Sequence, residues 1–95
     1  MSYKPELAKI KFRAERLIQL LGSGAFGIVQ DELTDLKRDV SSSEILTERQ
    51  REFLTEEIIT KAEKQIYHYE KTLTITKSVA NKMTESLGIF NWSDW

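Results

Sequence analysis

His68 is the only histidine in the chain, and there is no cysteine. A metal ion would therefore find no second imidazole and no thiolate to complete its ligand set. Gln65-x-x-His68 has the spacing of a helical metal pair, but glutamine stands where a carboxylate ligand is required. Glu52, Glu56 and Glu63 are spaced as the solvated face of a helix, not as a facing acid–base pair. No serine, threonine or lysine sits in a pattern that supplies it with a base and an orienting group. These residues predict a protein that is not an enzyme, with no catalytic residue, no cofactor and no metal, and they place His68 on a helix surface.

The string Leu21-Gly22-Ser23-Gly24-Ala25-Phe26-Gly27-Ile28-Val29 resembles the glycine-rich phosphate loop of protein kinases, with Gly22, Gly24, Gly27 and Val29 in that family's positions. The resemblance implies nucleotide binding, and the rest of the chain withholds what that needs. No lysine follows in a Val-Ala-Ile-Lys-like strand, no His-Arg-Asp or Asp-Phe-Gly element exists, and helical patterns flank the loop where strands belong. The expectation is a helix–helix connection that binds no nucleotide. Leu46-Thr47-Glu48-Arg49-Gln50-Arg51-Glu52-Phe53-Leu54 is similar to the first helix of LuxR-type and sigma-factor helix-turn-helix domains. Those domains need a tight turn next, whereas Thr55-Glu56-Glu57-Ile58-Ile59 continues the helical pattern and brings two acids to the expected DNA approach.

The elements that carry these residues follow from periodicity. Pro5 suits a first helical turn, where its missing N–H costs nothing. Tyr3, Leu7, Ile10, Ala14, Leu17 and Leu21 then recur by alternating fours and threes, which makes one apolar stripe. Phe26, Val29, Leu33, Leu36 and Val40 form a second, shorter series that ends near Val40. Ser41 with Glu44 reads as a capping box, and Thr47 with Gln50 as a second possible start. From Thr47 to Leu87 there is neither Gly nor Pro, and the seam runs Leu54, Ile58, Ala62, Ile66, Tyr69, Leu73, Thr76, Ala80, Met83, Leu87. Unbroken, this helix would extend about 60 Å. The β-branched alternation at residues 72–76 marks the place for a bend. The expected fold is all-α: an antiparallel helical bundle in which two short helices pack along one long, coiled-coil-like helix. Its domain would span residues 1–87, followed by an aromatic tail at 88–95, with Gly88 ending the helix and Ile89 folding back.

Charge divides along this chain. Residues 1–22 carry five basic side chains against two acids, residues 23–63 ten acids against five basic, and residues 64–95 four lysines against three acids. A basic first helix beside an acidic middle predicts pairing within or between subunits. With a net charge of −1 it argues against nucleic acid, which is the alternative reading of the face bearing Lys9, Arg13 and Arg16. No apolar run approaches the roughly 20 residues of a membrane span, and no signal peptide is visible. The absence of cysteine accords with a reducing compartment, so a cytoplasmic protein is expected.

Several apolar residues fall outside the stripes. Phe12 lies away from the seam of the first helix, and Phe53, Tyr67 and Ile75 lie opposite the seam of the long one, with Val79 on its flank. They predict a further contact, either a third helix or a second copy of the chain. Both tryptophans stand in the last four residues, after Phe90, in a tail that either folds back to cap the open end of the bundle or serves as a docking peptide for a partner groove. Ser86-Leu87-Gly88-Ile89-Phe90 resembles the short peptide that binds bacterial sliding clamps: Leu87 and Phe90 match, the leading glutamine is absent, and Gly88 replaces a polar residue. The resemblance implies a clamp-binding regulator. The broader expectation is an adaptor, inhibitor or assembly subunit that self-associates and binds a protein partner. Its contact residues would be Phe12, Phe53, Tyr67, Ile75, Phe90, Trp92 and Trp95.

Overall fold

The computed structural model describes residues 5–72, 77–90 and 92. Within them the chain forms four helices and no strand: α1 (Pro5–Ser23), α2 (Phe26–Ser42), α3 (48–72) and α4 (Lys77–Ile89). None is long and apolar enough to cross a membrane. The stripes expected for the first two helices are the ones they bury: Leu7, Ile10, Ala14, Leu17 and Leu21 on α1, and Phe26, Val29, Leu33, Leu36 and Val40 on α2. Tyr3 lies outside the described residues.

The glycine-rich string is the α1–α2 connection. Gly24 adopts φ 83°, its N–H donates to Leu21 O at 3.3 Å, and Ala25 N–H donates to Leu20 O at 3.1 Å. This is a Schellman ending, in which a left-handed residue lets the last carbonyls of a helix find donors. Gly24→Ala should destabilise the protein by about 1–2 kcal/mol, the cost of forcing an L side chain into that conformation. Urea denaturation checks this; an unchanged midpoint would show that the connection relaxes freely.

Residues 43–47 lead into α3. Thr47 is its N-cap and closes a capping box with Gln50: Gln50 N–H donates to Thr47 Oγ1 at 3.1 Å, and Thr47 N–H to Gln50 Oε1 at 3.0 Å. The alternative start at Ser41 and Glu44 is corrected, because α2 continues through Ser42. Arg51 reaches across the corner, donating to Val40 O and, at 3.0 Å, to Ser43 O. It supplies donors that the end of a helix lacks.

α3 is continuous but not uniform. It opens as Glu48–Phe53, widens into a π-helical stretch at Leu54–Ile59, and returns to α geometry over Thr60–Thr72. Bonds such as Thr60 N–H to Thr55 O span five residues instead of four. The wider turn rotates the buried face, so that the adjacent residues Ile58 and Ile59 are both buried, followed by Ala62, Gln65 and Ile66.

Contacts between helices fix their directions. Arg13 Nε lies 3.0 Å from Asp39 Oδ2, and Arg16 Nε 3.2 Å from Glu32 Oε2, so α1 and α2 are antiparallel. Arg13 pairs with Asp39 in charge only, since its N–H is not aimed at the oxygen. Lys37 meets Glu63 at 2.8 Å and Phe26 stacks on Tyr69 at 4.2 Å, which sets α2 antiparallel to α3. Phe53 stacks on Phe90 and Gln50 bonds to the Trp92 carbonyl, so α4 runs back along α3. A Cβ on Gly22 would come within 3.3 Å of the Ala80 Cβ, a close approach of α1 to α4. Each helix is thus antiparallel to both neighbours, and the four close an up-down-up-down bundle.

The expectation of an all-α antiparallel bundle holds, and the single long helix is corrected. Its two halves are α3 and α4, which lie side by side. Ala80, Met83 and Leu87 do form a buried seam, but on a helix of reversed direction. Leu73 and Thr76 of the expected seam, and the rest of the 73–76 stretch, lie outside the described residues.

Candidate binding site

The reversal between α3 and α4 makes a groove that neither helix has alone. Lys61, Lys64, Gln65 and His68 face it from α3, and Val79 and Lys82 from α4, around a volume of about 460 Å³. Three lysines and the histidine gather there, although the whole chain is slightly acidic. Lys61 Nζ is held by Glu57 Oε1 at 2.8 Å. Lys64 and Lys82 have no ion pair among the described residues. His68 is exposed, with Nε2 3.4 Å from Thr72 Oγ1, while that hydroxyl donates to the His68 carbonyl at 3.0 Å. Val79, half-buried against the core, provides an apolar floor with the methylene stems of the lysines. The groove begins just beyond the π-helical stretch, a feature often found beside functional sites.

The arrangement can attract an anion and cover apolar surface. Among the described residues, no group of histidine, cysteine or carboxylate side chains is arranged to hold a metal.

No protein-family model, curated protein or solved structure matches the chain.

The residues expected to bind a partner do not form one surface. Phe12 is 64% exposed on the outer side of α1, and Tyr67 is 61% exposed on α3, where Lys71 Nζ lies 5.2 Å from its ring centroid. α1 and α3 occupy opposite corners of the bundle, so these two rings cannot share a contact. Phe53 is half-buried: Phe90 stacks on it at 4.1 Å and the Trp92 ring meets it edge-on at 5.8 Å. Phe90 and Trp92 also meet edge-on at 4.8 Å, and Trp92 Nε1 donates to Leu87 O at 3.1 Å. Lys11 lies over the Trp92 ring and Arg49 over that of Phe90. Ile75 and Trp95 lie outside the described residues.

The tail reading changes in two places. α4 continues through Gly88 to Ile89, so Gly88 does not end it, and Ile89 is 84% exposed instead of folding back. The basic face of α1 is largely committed within the chain, since Arg13 and Arg16 pair with acids of α2; Lys9 is exposed and shares a shallow cleft with Asp39.

Nothing in the sequence marked Lys61, Lys64 and Lys82 as groove residues, and Gln65 stood out only beside His68 as an incomplete metal pair. One signal was available: Gln65 lies three residues after Ala62 and four before Tyr69, which is seam spacing, so a polar residue falls on a core position. The juxtaposition of Lys64 with Lys82 carried no such signal.

Proposed function

We propose that the protein is a non-enzymatic binding module, an adaptor or assembly subunit, that holds a protein partner in the groove between α3 and α4. The supporting observation is the concave apolar floor of this groove beneath Lys64 and Lys82, which have no ion pair among the described residues, a combination found where one segment lies down between two helices. Phe12 and Tyr67 are single exposed aromatics on opposite corners, of a kind that monomers commonly carry. The clamp-peptide reading is weakened because Leu87 is buried and Phe90 is stacked on Phe53. The nucleic-acid reading loses two of its three cations to α2.

Affinity capture from native extract tests the reading with three forms of the chain. Wild type and Phe12→Asp should retain the same partner, and the double variant Lys64→Glu/Lys82→Glu should lose it. Loss with Phe12→Asp but not with the double variant would move the site to α1. A second copy of this chain as the retained protein would make the module a self-assembling one.

A further inference from the structure

The groove holds a polar group that its own chain leaves unused. Gln65 is only 6% exposed and lines the groove, and its Nε2 is buried with no hydrogen-bond acceptor among the described residues. Buried amide nitrogens are rarely left so. The terminal torsion of glutamine is soft, so a half-turn about it brings the N–H toward the groove, at the cost of turning the carbonyl inward, which a bound charge would have to offset. Lys64, Lys82 and His68 line the same groove, while Lys61 shares its charge with Glu57. An anion is the complement of these groups, and Val79 requires that it bring apolar atoms with it.

We infer that the groove takes an acidic, amphipathic segment of a partner protein. One of its carboxylates accepts from Gln65 Nε2 between Lys64 and Lys82, and an apolar side chain of the same segment covers Val79. This inference rests on the groove reading above and names its ligand. Lysines are point charges without the planar fork that selects phosphate oxygens, and a free phosphate gains nothing from an apolar floor. Glu57 beside Lys61 also disfavours a polyphosphate strand along the groove.

The test is a nuclear magnetic resonance titration of the full chain with a short amidated peptide alternating glutamate and leucine. Controls are the same peptide with glutamine for glutamate, and inorganic phosphate. The glutamate peptide should shift the Gln65 side-chain amide and the Lys64 and Lys82 signals saturably. Gln65→Leu should weaken it about tenfold, the worth of one charge-assisted hydrogen bond. The glutamine peptide and phosphate should bind more weakly still. Shifts at Lys64 and Lys82 with the Gln65 amide unmoved and Gln65→Leu unaltered would overturn the anchor while leaving the groove as a docking surface. Phosphate binding as tightly as the peptide would overturn the peptide as ligand. No saturable shift in the groove would overturn the inference, and the capture experiment decides separately whether the groove reading falls with it.

Discussion

A chain ended at Ile89 should lose about 3–5 kcal/mol of stability. Truncating one fully buried Phe or Trp typically costs that much, and here two half-buried rings, Phe90 and Trp92, go together. The loss is larger than their own burial, because Phe53 loses both the ring stacked on it and the ring at its edge. The Trp92 carbonyl and indole N–H, which join Gln50 and Leu87, are removed as well. For a chain of this size the unfolding midpoint should fall by about 15–25 °C. Thermal unfolding followed by circular dichroism measures it. An unchanged midpoint would show that the aromatic end detaches without cost, and would restore the docking-peptide reading of Phe90 and Trp92.

Gln50→Leu should cost about 2–3 kcal/mol, although leucine fills nearly the same space. Gln50 is fully buried, and its one side chain serves two ends of the molecule: Oε1 accepts from the Thr47 N–H, and Nε2 donates to the Trp92 carbonyl at 3.0 Å. Leucine leaves both partners unsatisfied, at about 1–1.5 kcal/mol each for groups that water partly reaches. Gln50→Glu separates the two roles, since a carboxylate still accepts from Thr47 but cannot donate to Trp92. Urea denaturation of both variants is the measurement. Two variants as stable as wild type would show that the start of α3 and the aromatic end are not joined through Gln50.

How far the sequence reaches depends on which physical quantity each feature expresses. The stripes of α1 and α2 were legible residue by residue, because a helix that buries one face must repeat apolar residues at its own period. The pairing of Arg13 and Arg16 with the acidic second helix was legible as charge. The Thr47–Gln50 capping box was legible as one of two starts, and its longer bond to Trp92 was not. The reversal into α4 was hidden for a definite reason. Periodicity records which face is buried and not the direction in which the helix runs. Ala62 to Tyr69 and Ala80 to Leu87 bury equivalent faces against the same core, so the seam reads through from one helix to the next. The groove was hidden with it, because Lys64 and Lys82 come together only once α4 has turned back. Phe53, left over by a two-helix seam, is covered by the Phe90 and Trp92 rings that follow α4, while Val79 packs against the core on one side and lines the groove on the other. The π-helical stretch left no mark beyond the adjacent isoleucines at 58 and 59.

The groove as the partner's seat is tested most directly by photo-crosslinking from two positions. A photoreactive residue in place of Lys61 stands on the groove rim, where the side chain it replaces was already engaged by Glu57. One in place of Phe12 stands on the outer side of α1. With the partner retained by the wild-type chain, position 61 should crosslink to an acidic segment of that partner and position 12 should not. Crosslinks from position 12 with none from position 61 would contradict the account.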